Sequence, residues 1–334
     1  SKHFPYDILS YLTFISSIFV LIASIRFPKT HSKALYRLSW VISLILVTSL
    51  AFISYKELNH DISQLSLHQV YETVNVNNVL LKQGQASRYE NKHIPFQISL
   101  SSIKFTSPSS IQIIGKLKLN KVLITQVKPP IFFPMAFRTQ WERLDKQDAE
   151  WKFTTSIKQP FDYASFPFDK EKISLLIQVK NQYKHSLLVP NFKRYPSMSP
   201  QDLPGIKQKR VRINGWSLEE SYFSYEFSDD EIEGVAFNLI IKRNLTGPLI
   251  TYLLPILMIL SLAYFTLLMW TKESYMLILW GFSFSSVLAR SSSLFFILIL
   301  SHISLRESLE AKGIIFLEFY YLASYSVLIC ITIS

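Results

Sequence analysis

Five apolar runs near spanning length divide this chain, and a stretch of alternating apolar and polar residues separates the second run from the third. Residues 8–25 contain no charged side chain, and residues 38–55 repeat the pattern. At ~1.5 Å rise per residue, each run is roughly 27 Å long, enough for a thin bilayer core. Three more runs follow at residues 249–270, 276–303 and 314–334, joined by the short loops 271–274 and 304–313. Residues 56–92 are polar with scattered leucines, the pattern of a short amphipathic helix or a tether. From Ile94 the period becomes two. Phe96, Ile98 and Leu100 alternate with polar residues, and Ile111, Ile113, Leu117 and Leu119 keep the rhythm. Further strands are predicted at 151–157, 173–179, 217–227 and 235–242, with prolines punctuating the intervals. Short strands at this spacing predict an antiparallel β-sandwich. The expected fold is therefore a membrane α+β protein, a β-sandwich ectodomain on a bundle of five transmembrane helices. Its parts are an N-terminal hairpin (1–55), a linker (56–93), the sandwich (94–244) and three C-terminal helices (245–334).

Charge orients this scheme. The linker between the first two runs carries Arg26, Lys29, Lys33 and Arg37 and no acid, which assigns it to the cytoplasm by the positive-inside rule. The N-terminus and the sandwich then lie outside, and five crossings bring the C-terminus back to the cytoplasm. A secretory signal peptide is the weaker reading of the first run, because a small-residue cleavage site is lacking and a second run follows at once. The sequence begins at Ser1 and ends inside an apolar run, as one trimmed at either end would. The net charge of +11, from 35 Lys+Arg against 24 Asp+Glu, suits anionic lipid headgroups on such a protein better than nucleic acid. The basic run at 206–212 reads equally as a solvated edge strand.

The chemistry-bearing residues exclude several classes. Cys330 is the one cysteine, so neither an intrachain disulfide nor a cysteine zinc site is available. The seven histidines are scattered without metal-ligand spacing. No nucleophile–base pair or phosphate loop is present, so an enzyme, a cofactor and a bound metal are not expected.

Residues 161–173 (FDYASFPFDKEKI) form a turn between two predicted strands, with Pro167 fixing φ between aromatics. Its core, Phe166-Pro167-Phe168-Asp169, resembles the signature loop of pentameric ligand-gated ion channels, the Cys-loop receptors. Other landmarks follow in that family's order. They are Gly215-Trp216, two strands ending at Arg243, a membrane run with Pro255 in its interior, and the segment 313–320 (GIIFLEFY), which looks like the start of the third helix. The resemblance covers roughly residues 94–334. Gln159 and Ile173 stand where vertebrate members carry the loop's two cysteines, which points to a prokaryotic-type member. The segment that supplies part of the family's ligand pocket is reduced, with Trp141-Glu142-Arg143 a loose echo of it. A fourth helix after the third has no counterpart here, and two helices precede the sandwich instead. The run at 38–55 has the direction to fill that fourth position.

The resemblance implies a pore lined by the second helix, residues 276–303, of five subunits. Ser283, Ser286, Arg290 and Ser293 form a polar stripe at helical spacing, which Ile297 continues. Two registers stay open. Counting forward from Pro255 puts Glu273 at the inner mouth and Leu277, Phe284, Leu288 and Ser291 on the axis. Counting back from Gly313 puts Ser283, Arg290, Leu294 and Ile297 there, and this second count is preferred because it wets the stripe. Alternatively, Arg290 pairs with an acid such as Glu318. In the hairpin at 217–242, Tyr222 and Tyr225 are candidates for an aromatic cation cage, or plain core. Asp229 and Asp230 at its tip, with Glu231 and Glu233, are a weak Ca²⁺ candidate, or a solvated acidic turn.

Two functions are therefore expected. One is a homopentameric, bacterial-type ligand-gated channel in the cell membrane, opened by an unknown small ligand. The other is a non-conducting receptor or assembly subunit with the same fold.

Overall fold

A computed structural model describes residues 69–70, 93–119, 129–144, 149–180, 186–206, 211, 213–228, 231–268, 284–310 and 313–333. The runs at 8–25 and 38–55, the hairpin tip with Asp229 and Asp230, and the segment with Glu273, Leu277 and Ser283 lie outside the described residues. The chain forms two compact units. One is drawn from Asp61–Asp162 and Lys170–Asn244, and the other joins Tyr163–Asp169 to Leu245–Ser334.

The first unit is built of strands. In chain order they are β1 (Gln69–Val70), β2 (His93–Ser107), β3 (Ser110–Leu119), β4 (Ile131–Phe132), β5 (Ala136–Arg143), β6 (Glu150–Lys158), β7 (Lys170–Val179), β8 (Leu187–Pro190), β9 (Trp216–Ser228) and β10 (Glu231–Arg243). They make two five-stranded sheets, ordered β1-β9-β10-β7-β4 and β5-β6-β3-β2-β8. Pairing is antiparallel except between β2 and β8, which run parallel from His93↔Leu187 to Phe96↔Pro190. The sheets meet through their inward faces, where the Phe96 and Phe223 rings approach edge-on at 5.9 Å. Ile98, Leu100, Ile113, Trp151, Phe153, Phe237 and Tyr225 are buried there. Alternation along β2, β3 and β6 follows from burying one face only.

Two glycines have backbone reasons. Gly215, at φ +80°, makes the left-handed turn into β9, and its carbonyl accepts from the Asn244 N–H at 2.9 Å. A β-carbon at Gly234 would sit 2.5 Å from the Ile177 carbonyl oxygen, at a register shift between β9 and β10.

The second unit is helical. An α-turn at Thr246–Pro248 passes through a π-helical stretch, Leu249–Leu253, into α1 (Leu254–Leu268), followed by α2 (Phe284–Leu309) and α3 (Glu318–Ile333). Pro255 has no N–H for the preceding turn, and the wider π register there accommodates the missing bond. α2 runs past the expected end at residue 303 to Leu309, because the charged Arg306 in its last turn has a partner in the next helix. α3 begins at Glu318 rather than at residue 314.

Two helical spans, Thr246–Ala263 and Ser285–Leu309, are long and apolar enough to cross a membrane. Part of their apolar surface is exposed, including Leu257, Met258, Leu262, Phe296 and Leu300, while Ile256, Ile259, Leu298 and Leu305 are buried.

Candidate functional site

The loop Tyr163–Asp169 leaves β6 and returns to β7, yet it packs with the helices. Turn hydrogen bonds from Phe166 N–H to the Tyr163 carbonyl (3.0 Å) and from Phe168 N–H to the Ser165 carbonyl (2.8 Å) fold it tightly around a cis Phe166-Pro167 peptide. Phe166 is buried in the helical core with Ile256, Ile259, Leu305 and Tyr321, and its ring meets Tyr252 edge-on at 5.7 Å. Phe168 meets Phe316 edge-on at 5.8 Å, and the Phe316 N–H donates to the Ala164 carbonyl at 2.7 Å. Asp169 is buried too. Through these contacts the loop touches both the entry to α1 and the linker between α2 and α3.

α2 has three faces. Val287, Ser291, Leu298, Leu305 and Leu309 are buried, the three leucines in one cluster with residues of α1 and α3. Arg290, Ser293 and Ile297 are exposed, and Ser286 is half-buried, on a stripe about a third of a turn from the packed face at ~100° per residue. Leu288, Phe296, Leu300 and Ile303 make the remaining exposed face apolar.

This arrangement bears on the two registers. Ser291, required on the axis by the first count, is 4% exposed and turned inward, lining a cavity of about 340 Å³ with Phe295, Leu328 and Thr332. Of the second count's residues, Arg290 and Ile297 are exposed and Leu294 is half-buried. The Ser293 hydroxyl donates to the Ala289 carbonyl at 2.9 Å, which settles its proton within the helix and leaves oxygen lone pairs outward.

Glu318 does not pair with Arg290, because another arginine occupies it. Arg306 donates to Glu318 Oε1 at 2.6 Å, His302 Nε2 stands 3.4 Å from the same oxygen, and the Ile315 N–H donates to Oε2 at 3.1 Å. The carboxylate, 3% exposed, thus closes the linker before α3 in the manner of a capping box while α2 holds it from the side. The His302 ring stacks on Tyr321 at 4.9 Å, its Nδ1 lies 3.2 Å from the Tyr325 hydroxyl, and Ser301 and Tyr321 share a 2.8 Å hydroxyl pair. The charge of Arg306 also suits a helix C-terminus. Sequence reasoning missed this network. The available signal was His302 and Arg306 four residues apart, just before an acid at the start of the next run.

The aromatic cage on β9 is corrected by burial. Tyr225 lies in the sandwich core, where its hydroxyl donates to the Leu188 carbonyl at 2.9 Å and burial pushes its pKa up. Tyr222 is also buried, with the Lys172 ammonium 6.0 Å from its ring centre, and its pKa rises chiefly by burial and further from Glu220 and Glu226. Neither phenol is open to a ligand. Glu233 accepts a hydrogen bond from Gln178 at 3.1 Å, and no metal-holding cluster occurs among the described residues.

Around Trp216 the stripped-down landmark acquires a structure. The Arg243 guanidinium lies 4.0 Å over its ring, and Phe105 stacks on the indole at 5.4 Å. Phe105 in turn contacts Phe161 at 5.6 Å.

No protein-family model matches this chain, and no curated protein matches it.

Proposed function

We infer that this protein is a subunit of a pentameric ligand-gated channel of the prokaryotic type, with the polar stripe of α2 turned toward a shared aqueous path. The observation that carries the reading is the seat of the Tyr163–Asp169 loop: it interrupts two strands, yet it buries Phe166 among helices and binds the linker that follows α2. This turn is continuous with β6 and β7 in the chain, and it packs against Leu305 of α2 and Phe316 of the linker after it. Two features of α2 support conduction. The guanidinium of Arg290 and the oxygen of Ser293 are exposed on one stripe, and hydrocarbon would reject the cation at a cost of about 2.5 to 3.5 kcal/mol mid-membrane. The apolar face beside it suits lipid or a neighbouring copy. Five arginines about one axis favour anions.

In this reading the chain crosses a bacterial cell membrane five times, with the N-terminus and sandwich outside and the C-terminus in the cytoplasm. The segment at 38–55 takes the place of a fourth helix. A second reading, a non-conducting receptor or assembly subunit, draws on the exposed Phe296 and Leu300, which would narrow any pore with greasy side chains.

Native mass spectrometry in mild detergent tests the assembly. Five copies are expected, and a monomer or dimer contradicts the channel. Unitary currents in planar bilayers, altered by Arg290→Gln, support conduction. Silence across pH, Ca²⁺ and amine ligands supports the receptor.

A further inference from the structure

Five polar side chains, Gln112, Arg138, Gln140, Thr154 and Ser156, line a cavity of about 180 Å³ on the outward face of the sheet that contains β5, β6 and β3. Strand register assembles them. Gln112 on β3 and Arg138 on β5 flank Ser156 on β6 from its two sides, and Gln140 stands opposite Thr154 in the next row. Period-two alternation turns Ile111, Ile113, Phe153 and Ile157 into the core and leaves these five on the other face. Among the described residues none of the five side chains has a hydrogen-bond or ionic partner, although all five can donate.

The surrounding charge has one sign. Lys104 stands opposite Gln112 on β2, and Lys158 follows Ser156 by two positions on β6. Carboxylates farther along the face are already taken, Glu150 by Lys116 at 3.1 Å and Glu142 by Lys152 at 3.3 Å. No acid lines the cavity.

A rigid guanidinium fork beside two hydroxyls and two carboxamides is chemistry for an oxyanion rather than for a cation or an apolar body. We propose that this face binds the oxyanion group, a carboxylate or a phosphate, of a small solute. Arg138 grips two oxygens, and the hydroxyls and carboxamides complete the shell. In the channel reading the solute is the signal, so the regulatory consequence rests on that reading, whereas binding itself is measured without current.

The test uses the full chain in nanodiscs of zwitterionic lipid, titrated calorimetrically and by thermal shift. The titrants are sodium succinate and sodium phosphate, against sodium chloride at matched ionic strength. The expected result is saturable binding of one or both oxyanions and none of chloride, with at least a tenfold loss in Arg138→Gln. A second variant, Thr154→Val with Ser156→Ala, keeps the charge and removes the hydroxyls. It should weaken binding several-fold and so separates a built site from a diffuse field. The proposal is overturned if chloride matches both oxyanions, if Arg138→Gln binds as the unaltered protein does, or if wild-type protein shows no saturable response. Loss of the five-copy assembly or of current would leave a positive binding result standing, so the two failures are distinguishable.

Discussion

The Gln159 carboxamide accepts a hydrogen bond from the Ser174 N–H at 3.1 Å and donates one to the Lys172 carbonyl, clasping the backbone on both sides of Ile173. Gln159 and Ile173 are the positions at which the resemblance places two cysteines in vertebrate channels. Here an amide closes the segment 160–172 without a covalent bond, so the closure is indifferent to redox conditions. Gln159→Ala removes two partly buried hydrogen bonds at about 0.5 to 1.5 kcal/mol each. Thermal unfolding should register a loss of about 1 to 3 kcal/mol, and reducing agent should change neither protein.

Arg306 and Glu318 should behave as one unit. Arg306→Met leaves the buried carboxylate with His302 and the Ile315 N–H alone, a loss of about 2 to 3 kcal/mol, moderated because Arg306 is partly in solvent. Glu318→Gln in that background should recover part of the loss, since an amide needs no counter-charge. A double-mutant cycle by thermal unfolding measures the coupling, and strict additivity would contradict the pairing.

Much of this architecture is legible in the residues, and the exceptions have physical reasons. β2, β3, β6 and the first half of β7 announce themselves by alternation because one face of each is buried, whereas β9 and β10 are buried on both faces along their middles and show as apolar and aromatic runs. β5 does not, because Phe137, Arg138 and Gln140 on this edge strand are all exposed. β4 has two residues, β8 four ending in Pro190, and β1 two, too few for a period to show. The polar stripe on α2 can be read from spacing alone. Its relation to Ser291 cannot, since only packing tells which flank of a helix turns inward. Likewise, Glu318 is visible as a lone acid, but its choice of Arg306 over Arg290 is a matter of position in space.

Alkaline conditions should loosen the sandwich. Burial raises the pKa of Tyr195 and Tyr225; for Tyr195 the hydrogen bond with Ile98 offsets part of the rise. The folded state therefore keeps protons that the unfolded chain releases above about pH 10. Stability is fully present below that pH and falls as pH rises beyond it, by about 1.4 kcal/mol per pH unit for each phenol. Tyr225→Phe should lower the slope of unfolding free energy above pH 10 by about 1.4 kcal/mol per pH unit, and an unchanged slope would contradict the assignment.

Gly234→Ala should be among the most damaging single-methyl additions in the sandwich. Its β-carbon would meet the Ile177 carbonyl at 2.5 Å, backbone that can yield only by spreading β10 from β7. Overpacking of this kind costs about 1 to 3 kcal/mol. The check is the midpoint of denaturant unfolding, with Gly247→Ala as the comparison, where nothing lies within 4 Å.

The central claim is that α2 presents its Arg290–Ser293–Ile297 stripe to water along an ion path. Its most direct test is thiol accessibility in planar bilayers, in a Cys330→Ser background carrying either Ile297→Cys or Ser291→Cys. A charged methanethiosulfonate should change the current through Ile297→Cys within seconds and leave Ser291→Cys untouched. Current that responds at Ser291→Cys but not at Ile297→Cys, or no current from any preparation, would contradict the account.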